Sequence, residues 1–381
     1  MTFALSQEQI EVRDLVRRVA QERVAHRAAE IDRTAEYPQD MFDLLRELGL
    51  FTLPFPPEYG GSGSLLSAAV AIEELGRVCY NTAYLLLVQW APLGAILAGG
   101  TPEQKACLLP GLADGRLRAA FSLTEPQSGS DVAGIKTRAR RDGANYVLNG
   151  SKIWCTNAGV ADFVLIACKV DEGDEVSFFI VERGTPGFTV GSREDKMGAR
   201  GVPSYAIFLD DVRLPAQNRL GGEGGKFKDV MEALNQSRPL IAARAVGCAQ
   251  GAMDHAVAFI KGRRAFGQTV SDFQGVRWIV ADMAIQIEAA RQLTYAAAAA
   301  VDAGKRGAEM ATLAAAAKCF ASDVAMKVAT DAVQLFGAAG ISNDYPINRY
   351  FRDAKVLQII EGTNQIQRNI VARNIIGPGK R

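Results

Sequence analysis

Five short stretches carry most of the residues that could do chemistry. The first, IIEGTNQ at 359–365, sets one carboxylate, Glu361, between an apolar run and Gly362. Thr363 has the type and place of a helix cap, with Ile366, Ile370 and Val371 as the core-facing side of that helix. The plain alternative for Glu361 is an acid near a helix N-terminus acting as a dipole partner. FSLTEPQSGSDVAG at 121–134 offers small hydroxyls and glycine backbone where an anionic ligand can approach closely, although a turn would use the same residues. NGSKIWCTNAG at 149–159 puts Trp154 beside Thr156, an aromatic wall with a hydrogen-bonding tip or else a core aromatic. KGRRAFGQ at 261–268 and QLFGAAG at 334–340 complete the set, with Arg263 also readable as a cation at a helix C-terminus.

Composition removes several other chemistries. Only His26 and His255 are present, so there is no HExxH and no His-rich metal cluster. The six cysteines (79, 107, 155, 168, 248, 319) show no CxxC spacing, which fits a reducing compartment. Neither GxGxxG nor GxxxxGK[ST] occurs, disfavouring a Rossmann or P-loop nucleotide site. Forty-three basic against forty-two acidic residues give a net charge of +1, without the electrostatic footprint of nucleic-acid binding or a polybasic membrane patch. The first twenty residues carry Glu8, Glu11 and Asp14 and no apolar core, so they read as a helix capped by Ser6 and Gln9, and the protein as cytoplasmic. Residues 78–102 lack charge and are long enough to span a bilayer. Gln89, Pro92 and Gly94 within them favour two buried helices and a bend, so no membrane is expected.

The elements that must hold these stretches fall into three regions. Residues 1–118 have helical spacing, as in Met41, Phe42, Leu44, Leu45 and Leu48 after Asp40 as a cap and before Gly49. Residues 119–228 hold short β-rich runs such as DFVLIACKV and YAIFLDDVRLP between turn residues, a β-domain. Residues 229–381 return to long, Ala-rich amphipathic helices broken near 303–307 and 337–340, as in a helical bundle. The fold class is therefore α+β, mainly α, with a β-domain between two helical ones.

In this order the motifs TEPQSGSD and QLFGAAG through RDAKVLQIIEGTNQIQR resemble those of the acyl-CoA dehydrogenase family over essentially the whole chain. The resemblance implies a C-terminal four-helix bundle, FAD held between the last two domains, a homotetramer, an acyl-CoA substrate and electron-transferring flavoprotein as acceptor. It implies that Phe121, Leu123 and Thr124 line the flavin ring, that Gly129 and Ser130 approach the flavin phosphates or the CoA arm, and that Trp154 and Thr156 cover one flavin face near N5. Arg263, Phe266, Gln274, Gln334, Phe336 and Gly337 match positions reaching the adenine dinucleotide end across a subunit boundary, and Thr363 and Gln365 complete the flavin contacts. Arg238 matches an arginine close to base and substrate, with Gly362 beside it. Gln89 and Trp90 fall at the acyl end, where an indole would restrict the substrate to short, branched or cyclic acyl groups.

Glu361 matches the family's general base. A carboxylate of solution pKa about 4.3 is a feeble base, and burial among Ile359, Ile360 and substrate is expected to raise it. Three departures stand out: Gly262 before Arg263 where many members carry Glu, Cys155 at the centre of W-x-T, and NQS at 235–237 in place of a charged run. The isovaleryl branch places its base at position 237, which is Ser here, and is disfavoured. An oxygen-using acyl-CoA oxidase on the same fold and a catalytically idle helical scaffold are the competing readings.

Overall fold

A computed structural model describes residues 4–223 and 226–377, with the side chains of 235 and 236 outside the described set. Six helices come first: α1 (Gln7–Val19), α2 (Ala28–Thr34), α3 (Gln39–Glu47), α4 (Leu65–Val78), α5 (Tyr80–Gly99) and α6 (Pro102–Ala113). The Ser6–Gln9 capping box forms at α1 through both reciprocal bonds. Asp40 does not cap α3, which begins after Pro38; its carboxylate accepts instead from Arg27 Nε (2.6 Å). Residues 80–99 form one continuous helix in place of the expected pair. Sixteen of its twenty residues are buried, and packing on every side outweighs the single backbone bond that Pro92 removes. Tyr80–Gly99 and Gly307–Ile341 are each long and apolar enough to cross a membrane by length and composition, but the first is enclosed within the protein.

A seven-stranded sheet follows: β1 (Ala119–Ser122), β2 (Arg138–Asp142), β3 (Asn145–Thr156), β4 (Phe163–Val170), β5 (Val176–Glu182), β6 (Phe188–Arg193) and β7 (Ser204–Pro215). Its order is β1-β4-β2-β3-β7-β6, with β5 also on β4. The first half of β4 pairs in parallel with β1 and its end with β2, while β5 runs antiparallel along it. Because side chains alternate along a strand, Phe163, Leu165 and Ala167 join the main helical core and Val164, Ile166 and Cys168 fill a second core within the β-domain.

Five helices close the chain: α7 (Phe227–Gly262), α8 (Gln274–Asp302), α9 (Gly307–Phe336), α10 (Ile347–Leu357) and α11 (Asn364–Ile376). Helix α7 starts eleven residues before Arg238 and carries Pro239 inside it. At roughly 54 Å for 36 residues it runs past α4 and α5 as well as α8, α9 and α10, tying the two helical regions together. Close crossing with α4 depends on Gly247 and Gly251, where a Cβ would lie 2.2 Å from the Glu73 carbonyl oxygen and 2.0 Å from that of Arg77. All six cysteines are free.

Candidate active site

Glu361 lies in the short link between α10 and α11 and takes a left-handed backbone conformation (φ +50°). Such a conformation persists in a non-glycine residue only where its surroundings enforce it. Here they are polar. Lys318, fully buried on α9, donates through Nζ to the Gly362 carbonyl and to Asn364 Oδ1, both at 2.9 Å. Ser322 Oγ reaches the same Asn364 Oδ1 (3.0 Å), and Gln367 Nε2 donates back to the Gly362 carbonyl (2.9 Å). Gly362 itself is required, with φ +89° and Gln367 Nε2 only 2.6 Å from where a Cβ would sit. Thr363 caps α11 as expected, accepting from the Ile366 amide (3.3 Å). The face that α11 buries is not the apolar one expected: Asn364 and Gln367 are buried, and Ile366, Ile370 and Val371 only half so. The first turn of α11 is built to hold a loop.

The surroundings of Glu361 also differ from the expectation, since Ile359 is 55 % exposed. The charges that act on the carboxylate are instead those of Arg244, Lys318 and Arg238, and the Tyr84 phenol feels it in turn. Glu361 is exposed to water, yet protein packs closely around its carboxylate. For ionisation the crowding decides, because it strips hydration from the charged form. Burial pushes the Glu361 carboxyl above its ordinary value, opposed in turn by Arg244, Lys318 and Arg238. Burial likewise lowers Lys318 to about 8. Arg238 is buried, with Nη1 unpartnered; burial lowers its pKa and Glu361 opposes that shift. Ser237, on α7, is among the groups that act on the same carboxylate.

A second group comes from the sheet. Phe121, Leu123 and Thr124, at and just beyond β1, are half-buried, and the neighbouring Ser122 hydroxyl is buried without a partner. At the end of β3 a register shift between Lys152 and Cys155 coincides with φ +58° at Trp154, which leaves its indole 51 % exposed. Such bulges re-aim side chains. Cys155 points inward instead, fully buried. Thr156 pairs with Ser204, their hydroxyls 3.2 Å apart, and its side chain also reaches toward the Tyr84 phenol. The loop after β1 turns tightly between Glu125 and Ser128. The Glu125 carboxylate, buried, accepts from Lys152 Nζ (2.8 Å) and from the amides of Lys136 (2.6 Å) and Thr137 (3.0 Å). Burial pushes this carboxyl up, and Lys152, Thr137 and Lys136 together reverse that and hold it at about 2. Gly129 and Ser130 are exposed on the same loop.

The remaining predicted residues lie farther out. Arg263 ends α7, Phe266 is 95 % exposed in the hairpin of Arg264–Ala265 and Gln268–Thr269, Gln274 opens α8, and Gln334 and Gly337 are exposed near the end of α9. Phe336 is not free: it stacks on Phe259 (centroids 4.2 Å apart) and packs against Tyr345. Gln365 is exposed beside Thr363 in a surface depression with Asp323, Lys355 and Arg368. Gln89 and Trp90 are buried on α5 and held by hydrogen bonds to backbone. The Gln89 amide donates to the carbonyls of Leu112 (3.1 Å) and Leu117 (2.6 Å), and the Trp90 indole to that of Phe51 (2.8 Å). Sequence reasoning missed Tyr84, Arg244, Lys318, Asn364 and Gln367. Of these, only Lys318, a lone cation in the apolar run LAAAAKCFA, carried a visible signal.

These features fit the flavin that the motifs imply. A half-exposed indole beside the Thr156 hydroxyl suits an amphiphilic ring, and an outward guanidinium and phenyl suit a phosphate-bearing, aromatic tail. Models of the acyl-CoA dehydrogenase N-terminal, middle and C-terminal domains match residues 6–116, 120–212 and 224–376. Cyclohexane-1-carbonyl-CoA dehydrogenase of Geobacter metallireducens is 43 % identical over 98 % of this chain and 99 % of its own. Butyryl-CoA dehydrogenase from Megasphaera elsdenii superposes with a TM-score of 0.94 at 39 % identity, covering 99 % of this chain and all of its own. A Mycobacterium smegmatis glutaryl-CoA dehydrogenase solved with FADH2 does so at 0.92 and 28 %, covering 99 % and 96 %. On its fold, its motifs and these matches along its whole length, the chain belongs to the FAD-dependent acyl-CoA dehydrogenase family.

Proposed function

We propose that this protein converts an acyl-CoA thioester to the trans-2-enoyl-CoA, with Glu361 taking the α-proton. The carrying observation is the placement of Glu361: one carboxylate, its pKa raised by crowding, fixed in a left-handed conformation by the Lys318–Asn364–Gln367 network. A base of raised pKa on a rigid support suits removal of a weakly acidic proton beside a thioester. Bound FAD supplies the hydride acceptor for the β-carbon. Phe121, Leu123, Thr124, Trp154, Thr156, Thr363 and Gln365 would hold the ring. Arg263, Phe266, Gln274, Gln334 and Gly337, with Phe336 contributing backbone, would serve a neighbouring subunit's dinucleotide in a homotetramer. Gly129 and Ser130 would meet the CoA arm, and Arg238 and Gly362 the substrate beside the base. Electron-transferring flavoprotein is the proposed acceptor.

Glu361→Gln tests this reading. The amide keeps the shape but takes no proton, so FAD and acyl-CoA should bind while flavin bleaching slows by at least the 10²–10⁴-fold typical of a positioned base. A loss of less than tenfold in rapid-mixing absorbance would assign the proton to another residue.

A further inference from the structure

Arg244 on α7 is the largest fully buried side chain among the described residues, and its Nε, Nη1 and Nη2 all lack a hydrogen-bond partner. Its guanidinium lies over two phenol rings, 3.8 Å from the centroid of Tyr84 and 4.4 Å from that of Tyr80. Ring faces attract a cation but accept none of its five donors in the way an oxygen does. Among the described residues no carboxylate comes within ion-pairing distance of it. A buried cation left without partners is strongly destabilising unless a ligand completes it.

We infer that the acyl group taken by this protein carries a carboxylate, which seats on the Arg244 guanidinium. This rests on the dehydrogenase reading and narrows it to thioesters of dicarboxylic acids. Position supports it. Tyr84, whose ring the Arg244 guanidinium covers, also feels the charge of Glu361 and the hydroxyl of Thr156, which puts the four side chains in one neighbourhood. In that space Glu361 marks the α-carbon and Thr156 the hydride acceptor, which leaves Arg244 facing the acyl chain beyond. Arg244 is not the internal partner of Glu361, because the two form no ion pair, and a base clamped by a guanidinium could not take up a proton. A neutral chain would leave the cation with nothing to accept from it, whereas a planar carboxylate matches its fork.

The test uses the FAD-loaded enzyme and length-matched thioesters: succinyl- against butyryl-CoA, glutaryl- against pentanoyl-CoA, adipyl- against hexanoyl-CoA. Two charge-assisted hydrogen bonds at roughly tenfold each predict a kcat/KM about a hundredfold higher for the charged member of at least one pair. Arg244→Gln should bring that ratio close to one, and Arg244→Lys should keep part of it. Preference for the neutral member at every length overturns the inference, whether or not the variants fold. If no thioester bleaches the flavin, the dehydrogenase reading fails separately. Titration of the flavin spectrum then still compares charged and neutral thioesters by binding alone, and equal or weaker binding of the charged ones refutes the Arg244 site.

Discussion

Lys318→Met separates the positioning of the base from its chemistry. Methionine fills much the same volume as the lysine stem and removes only the ammonium. The two hydrogen bonds lost, each 2.9 Å and charge-assisted, are worth roughly 3–6 kcal/mol together before desolvation is counted. Against this, an ammonium no longer has to be held out of water, itself a term of several kcal/mol. Neither acceptor is orphaned, because Gln367 still donates to the Gly362 carbonyl and Ser322 to Asn364 Oδ1. Net stability should therefore change by no more than about 1–2 kcal/mol, a shift of a few degrees in Tm. Catalysis should respond far more. The Gly362 carbonyl adjoins Glu361, whose left-handed backbone relaxes if its tether goes slack, and an ångström of misplacement can cost about a hundredfold. Stopped-flow bleaching with a good substrate, at matched flavin content, should be 10–100-fold slower. A variant that melts near the wild type and bleaches at the wild-type rate would refute the idea that Lys318 holds the base in place.

Three further outcomes follow from the geometry. Since burial raises the Glu361 pKa and only the ionised form accepts a proton, the reduction rate should fall with acidification at a pH above the ordinary carboxylate value of 4.5; a flat profile down to that pH argues against the assignment. The Glu125 carboxyl is held at about 2, below its ordinary 4.5, so its contribution to stability should be complete above pH 4.5 and vanish as pH falls toward 2. Lys152→Met, which leaves that carboxylate buried and unpaired, should destabilise by about 3–5 kcal/mol in denaturant melts and abolish this dependence. Arg263→Ala should purify with little FAD and weakened subunit association, and full flavin absorbance in that variant would remove Arg263 from the cofactor site.

The fold was legible because its signals are periodic and local. The capping box at Ser6, the β-run DFVLIACKV and the glycine breaks at 303–307 and 337–340 each act within a few residues, and each appears where its pattern lies. Pro92 misled for the same reason: a local helix breaker was overruled by packing visible only in three dimensions. The motif residues Glu361, Trp154 and Thr156 were legible as types but not in their surroundings. Isoleucines adjacent in sequence were expected to enclose Glu361, yet its walls come from α5, α7 and α9, between 43 and 277 residues away along the chain. Tyr84 and Arg244 look like ordinary helix residues until those helices meet. Trp90 showed the converse, a conspicuous residue whose hydrogen bond serves only the fold.

Among the described residues, eight that are not glycine have left-handed backbones, and Trp154, Phe266 and Glu361 are three of them. Glycine would relax each of these positions, which cost of order 1–3 kcal/mol in such a conformation. Selection for heat resistance alone would therefore drift toward erasing the side chains proposed to serve the base and the flavin. A library screened only for survival at high temperature should collect Gly at these three sites, and its winners would be sturdier proteins that no longer bleach. Stabilising this enzyme requires shielding those positions from the screen, or selecting on turnover and temperature together.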